Sequence, residues 1–177
     1  MIRKKKNNKL LVSLLVILIA INLINTVLLL SVQKGEKELE KRGFEIQNVS
    51  LEGYVEADVS LDGQLLQFDA ECRRISMMIS EAQAYSIDLA LANETPFRPM
   101  TQDIMRDMMR SFGIELKLAR ITKFENDVYY AQIVVKSGNK TLILDSRPSD
   151  ATALALRFGI PIYINKDLLQ EYGEAIC

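Results

Sequence analysis

The stretch Val55-Glu56-Ala57-Asp58-Val59-Ser60-Leu61-Asp62-Gly63-Gln64-Leu65-Leu66-Gln67-Phe68-Asp69 decides the fold class. Val55, Ala57, Val59 and Leu61 alternate with Glu56, Asp58 and Ser60, the period-two pattern of a half-buried strand. Asp62-Gly63 supplies a tight hairpin turn, and Leu66 and Phe68 alternate with Gln67 and Asp69 on the way back. Ile75, Met77 and Ile79 extend the pattern to a third strand. Strands joined by turns this short pair antiparallel, because a parallel crossover needs a dozen residues or more.

Downstream the period changes. Ser80-Glu81-Ala82-Gln83 is a capping box in which Ser80 caps a helix, and Ala84, Ile87 and Leu91 fall on one face. Thr95 to Pro99 breaks that helix. A second starts near Thr101 and carries Ile104, Met105, Met108, Met109 and Phe112 at helical spacing, a methionine stripe that reads as core filling. Ile114 to Phe124 and Val128 to Lys136 read as strands joined around Asn126-Asp127, and Ser137-Gly138-Asn139 turns into a third, Leu142 to Leu144. The helix from Ser149 to Phe158 is almost wholly apolar and is expected to be buried. Ile160 to Ile164 is a short strand in which Pro161 marks an edge or a strand start, and Lys166 to Tyr172 is a terminal helical turn or two. The order β-β-β-α-α-β-β-β-α-β-α predicts an α+β fold, a mixed, hairpin-rich sheet packed with three main helices.

Ahead of this domain, no residue between Lys9 and Lys34 is charged, and residues 10–32 are dominated by Leu, Ile and Val. As a helix, that length reaches roughly 35 Å, enough for a hydrocarbon core of about 30 Å. The stretch ends without a small-residue cleavage site, so it reads as a retained transmembrane helix rather than a signal peptide. The expected organisation is a basic tail over 1–9, a membrane span over 10–32, a charged stalk over 33–52 and a domain over 53–177. Five cations precede the span and four follow closely, which points the domain out of the cytoplasm and places the protein in the cell membrane as a single-pass protein.

Composition limits the chemistry. There is no histidine among 177 residues, which excludes Ser-His-Asp and Cys-His catalysis and histidine-ligated zinc. Cys72 and Cys177 are too few for a zinc knuckle or a disulfide framework and read as free thiols. The net charge of −1 conceals +6 up to Arg42 and −7 from Gly43 onward. An acidic domain is a poor passive binder of nucleic acid, because phosphate binding rests on clustered cations that release counterions.

Two segments repeat one pattern: Arg98-Pro99-Met100-Thr101-Gln102-Asp103 and Arg147-Pro148-Ser149-Asp150, each leading into a helix. Thr101 and Ser149 suit N-caps, and Asp103 and Asp150 sit where the helix dipole favours an anion, so the pattern has a purely structural explanation. It also has a chemical one. Asp145 and Asp150 flank a turn and could converge on Mg²⁺ or Mn²⁺, with Arg98 and Arg147 holding phosphate oxygens and Asp103 and Glu81 as supporting acids. Such a set would suit metal-assisted phosphodiester hydrolysis.

The block from Leu144 to Arg157 with Pro161-Ile162-Tyr163, the segment Ile79 to Ala84, the segment Arg98 to Asp103 and Tyr129-Tyr130-Ala131 together resemble the bifunctional nuclease domain family. The resemblance runs from about Gly53 to about Leu169. It implies a compact, self-associating α+β domain, a homo-oligomer, with DNase and RNase activity attributed to some members. Members similar to this chain usually carry histidine where it has Gln102. Two functions are therefore expected to compete: a membrane-anchored nuclease, and a non-catalytic oligomeric scaffold or small-ligand-sensing module.

Overall fold

A computed structural model describes residues 17–31 and 49–177. The chain divides into two units, residues 1–43 and 44–177. In the first, residues 17–31 form a helix, α1, whose Leu, Ile and Val side chains are exposed. Its fifteen residues reach roughly 22 Å. Among the described residues no helix is long and apolar enough to cross a membrane. Residues 10–16 and 32 of the expected span, and most of the expected stalk, lie outside the described residues.

The second unit carries the α+β fold. Its strands are β1 (Tyr54–Asp62), β2 (Leu65–Ala70), β3 (Arg73–Met78), β4 (Glu115–Glu125), β5 (Val128–Ser137), β6 (Lys140–Ser146), β7 (Ile162–Asn165) and β8 (Glu174–Ala175). Its helices are α2 (Glu81–Leu91), α3 (Thr101–Ser111), α4 (Pro148–Phe158) and α5 (Lys166–Tyr172). The strands form one sheet in the order β6-β5-β4-β7-β1-β2-β3-β8. Only β4 and β7 run parallel, so two antiparallel hairpin groups meet at β7. Asn126 and Asp127, both at positive φ, make the two-residue turn between β4 and β5, a conformation that suits the right-handed twist of the strands.

Strand alternation sends one face of the sheet into the main core. Phe68, Ile75, Ala119, Ile121, Ala131, Ile133 and Ile164 meet Ile87 of α2, the apolar stripe of α4, and Leu168 and Leu169 of α5. Helix α4 is the hub, packed on β4 and β5, with α2 and α3 against it. Pro148 at its first position and Gly159, left-handed at its C-cap, set its ends. The opposite face carries a small cluster of Leu118, Val134 and Ile143 with Tyr163 packed on it.

Several sequence expectations are corrected. Pro161 marks a strand start, and the strand it precedes is central rather than an edge. The true edge beside β3 is filled by β8, a two-residue strand too short to leave a periodic signal. The cysteines are not free: Cys72 and Cys177 form a disulfide, with Cα atoms 5.3 Å apart, closing the β2–β3 turn onto the C-terminal segment. The methionine stripe of α3 is not core filling. Only Met109 is buried, while Ile104, Met105, Met108 and Phe112 face outward.

Candidate functional site

Ser80 caps α2 as its sequence suggests, its hydroxyl accepting from the Gln83 backbone N–H while the Gln83 side chain accepts from the Ser80 N–H. The other two expected caps shift by one or two residues. Met100 is the N-cap of α3, with Thr101 already helical, and Arg147 is the N-cap of α4, with Ser149 inside the first turn and buried. Each Arg-Pro motif thus reaches further into its helix than a simple serine or threonine cap.

The two motif aspartates end in different environments. Asp103 is 1 % exposed and holds α3 in place. Its Oδ1 accepts from Arg157 Nε at 2.6 Å and its Oδ2 from the Met100 backbone N–H at 2.9 Å. Burial pushes the Asp103 carboxyl up, but the hydrogen bonds from Arg157 and Met100 and the charges of Arg157 and Arg106 outweigh it, leaving it below its ordinary value. Arg157, 3 % exposed on its side chain, also donates to the Ser86 and Ala153 carbonyls. This cluster sews α2, α3 and α4 together. The sequence did mark it faintly: within the apolar run of α4, Arg157 is the one cation.

Asp150 sits in the first turn of α4, and both its carboxylate oxygens are engaged. Arg147 Nε donates to Oδ2 at 2.6 Å, and Gln102 Nε2 donates to Oδ1 at 3.1 Å. Gln102 Oε1 in turn accepts from Ser86 Oγ at 3.1 Å. The two repeated motifs therefore meet through Gln102 and Asp150, with buried Ser86 behind them. Arg147 remains accessible, its side chain 71 % exposed.

This network lines one side of a groove of about 610 Å³ between α3, α4 and the β5–β6 pair, bordered by Thr101, Met105, Tyr129, Asp145 and Ser146. A second hollow of about 620 Å³, toward β3, shares Val128, Tyr129 and Arg147 with the first. Tyr129 stacks on Phe124 with ring centroids 4.4 Å apart, and burial pushes its hydroxyl up, so it is a neutral phenol at neutral pH.

Asp145 borders the same groove from the end of β6. Leu144 packs into the main core and Ile143 into the opposite cluster, so alternation puts Asp145 on the Ile143 face, across from Gln132. Arg98 is exposed in the loop before α3, and Glu81 borders a separate hollow with Tyr85 and Asp88. Of the six expected chemical residues, only Asp150 and Arg147 are brought into contact at the groove. Among the described residues, no three acids or cysteines gather as a metal site. Asp145 and Asp150 border one groove, and both oxygens of Asp150 are already engaged, by Arg147 and Gln102.

Comparison with known proteins identifies the domain. Residues 65–176 match the profile of the bifunctional nuclease domain. The chain is 33% identical over 104 residues to an uncharacterized protein of Mycobacterium tuberculosis, covering 59% of this chain and 62% of that protein. It is 32% identical over 105 residues to Bifunctional nuclease 1 of Arabidopsis thaliana, covering 58% of this chain and 32% of that protein. It is 30% identical over 102 residues to Bifunctional nuclease of Oryza minuta, covering 56% and 31%. The matched stretch thus spans less than two thirds of the mycobacterial relative and about a third of each plant one.

Proposed function

The chain belongs to the bifunctional nuclease domain family, and from that premise we propose that it is a nuclease-like protein that hydrolyses phosphodiester bonds in the groove beside Asp150. The observation that carries this reading is the accessible Arg147–Asp150 pair, backed by Gln102 and Ser86. An incoming phosphate competes for Arg147, whose guanidinium can bind two phosphate oxygens at once. As Arg147 turns to the phosphate, Asp150 Oδ2 is released while Gln102 keeps Oδ1 in place. A carboxylate so held can accept the proton of an attacking water as the water oxygen bonds to phosphorus, while the P–O bond to the leaving nucleoside oxygen breaks and that oxygen takes a proton from solvent. No step is assigned to a metal.

The groove is acidic. Asp150 and Asp145 border it, Asp127 borders the adjoining hollow, and Arg147 is the cation common to both. With about one phosphate contact, substrate affinity should fall only roughly three- to fourfold between 50 and 200 mM salt, against thousandfold losses for a cation-lined site. The full chain, assayed on single- and double-stranded DNA and on RNA with and without Mg²⁺ or Mn²⁺, should cleave. Asp150→Asn should lower kcat on the order of a hundredfold or more, as for loss of a general base. Arg147→Ala should lower kcat/KM by at least tenfold, as for a lost charge-assisted contact. Absence of cleavage under every condition would remove the enzymatic reading. The acidity of the groove favours the second one, a non-catalytic module that senses a small ligand, and binding without turnover would select it.

We also propose that residues 10–32 anchor the protein in the cell membrane with the domain on the extracytoplasmic side. The uncharged apolar stretch supports an anchor, and the Cys72–Cys177 disulfide supports an oxidising compartment. Protease added to intact cells should digest the domain. Digestion only after lysis would place it in the cytoplasm.

A further inference from the structure

Helix α3 turns most of its apolar side chains outward. An ordinary surface helix turns its apolar stripe to the core and its charges to water. Here the buried side carries Asp103, paired with Arg157, beside Met109, and the exposed Arg110 reaches back so that its guanidinium lies 5.5 Å from the Phe158 ring centre. The outward side carries Ile104, Met105, Met108 and Phe112, the last 73% exposed. Phe97, in the loop before the helix, is fully exposed as well.

We propose that this face is the contact surface for a second copy of the chain, packed α3 against α3 about a twofold axis at Met108. The spacing carries the geometry. Ile104, Met108 and Phe112 lie four residues apart and form one ridge, the kind that interdigitates between helices. Antiparallel packing about Met108 sets that residue against itself and Ile104 against the second copy's Phe112, so each bulky group meets another. This is the self-complementarity a twofold interface requires. The area is of the right size. The four α3 side chains expose on the order of 450 Å² of apolar surface, close to the apolar share of the roughly 800 Å² each partner gives a standard interface. Charge does not oppose it, because Arg106 is already bonded to Asp107 beside the ridge.

The contact reaches the groove. Met105 belongs to the outward face and also borders the groove beside Thr101 and Gln102. The second copy therefore extends the α3 wall of the groove. The proposal stands independently of nuclease activity, and its test reads no activity.

Cys72 and Cys177 are paired, so an introduced cysteine is the only free thiol in the full chain. Met108→Cys, in the detergent-solubilised full chain under mild oxidation, should give disulfide-linked dimer at least tenfold above Asp88→Cys, an exposed position on α2. Ile104→Cys mixed with Phe112→Cys should cross-link more than either alone. Adding Phe112→Asp to Met108→Cys should abolish the cross-link and leave the circular dichroism spectrum unchanged. Met108→Cys cross-linking no better than Asp88→Cys would overturn the proposal. So would a dye attached to the thiol of the Met108→Cys variant that stays wet in detergent but enters an apolar environment on addition of lipid vesicles, since the face would then dock on a bilayer.

Discussion

Asp103→Ala is expected to destabilise the domain by roughly 3–5 kcal/mol, because it leaves the Arg157 guanidinium buried without its counter-charge. Arg157→Leu should cost a similar amount by stranding the carboxylate. The double substitution Asp103→Leu with Arg157→Leu should recover most of the loss, since apolar replacements of a buried pair are often neutral. Urea unfolding of the three variants measures the effect, and a single variant within about 0.5 kcal/mol of the parent would show that the pair does not hold α3. The same pair fixes an acid limit. The folded-state carboxyl of Asp103 lies below its ordinary value, so its contribution is complete above the unfolded value near pH 4 and is lost as pH falls through the lower folded value. Stability measured from pH 6 down to pH 2 should fall in that window, and the Asp103→Leu/Arg157→Leu variant should lack this component.

Reduction of the Cys72–Cys177 disulfide is expected to cost about 4–5 kcal/mol by the chain-entropy account, because the bond closes a loop of 105 residues. That is a large part of the 5–15 kcal/mol a typical domain has in total. The loss should concentrate first at the C-terminal segment. Strand β8 pairs with β3 through only two residues on each side, and Arg73 donates to the Gly173 carbonyl at 2.8 Å. Hydrogen exchange in reductant should therefore open residues 173–177 and the outer edge of β3 before the β4–β5 pair. Uniform exchange along the sheet would show that the bond acts on the whole domain at once.

The sheet was legible because alternation is a local property. Val55 to Leu61 states its two faces without reference to anything distant, and a tight turn fixes where its partner lies, at Gly63-Gln64, one residue later than the expected Asp62-Gly63. The same alternation, applied to Leu144 and Asp145, puts Asp145 on the face opposite Leu144. Helix α3 was legible as a helix but not in its orientation. A 3.6-residue stripe of Ile, Met and Phe identifies one face, and only Arg157, 54 residues from Asp103, decides that the other face is buried. The cysteine pairing was hidden for the same reason: nothing near Cys72 indicates Cys177. At the groove, the two Arg-Pro motifs were visible as a repeat, but their junction through Gln102 required the packing of α3 on α4. Ser86, inside an ordinary-looking amphipathic helix, gave no sign of its role.

The place of β7 sets an order of assembly. Strands β1 to β3 and β4 to β6 are each joined by tight turns and can pair as soon as they are made. Within the sheet the two groups are hydrogen-bonded together through β7 alone, whose Asn165 lies against Tyr54 more than a hundred residues earlier. Non-local closure of this kind is slow, because the loop entropy is lost before the contacts form. A nascent chain still lacking Ile162–Asn165 presents two unpaired strand edges, β1 and β4, with nothing between them. That interval, rather than the folded state, is when the chain is most open to pairing with its neighbours.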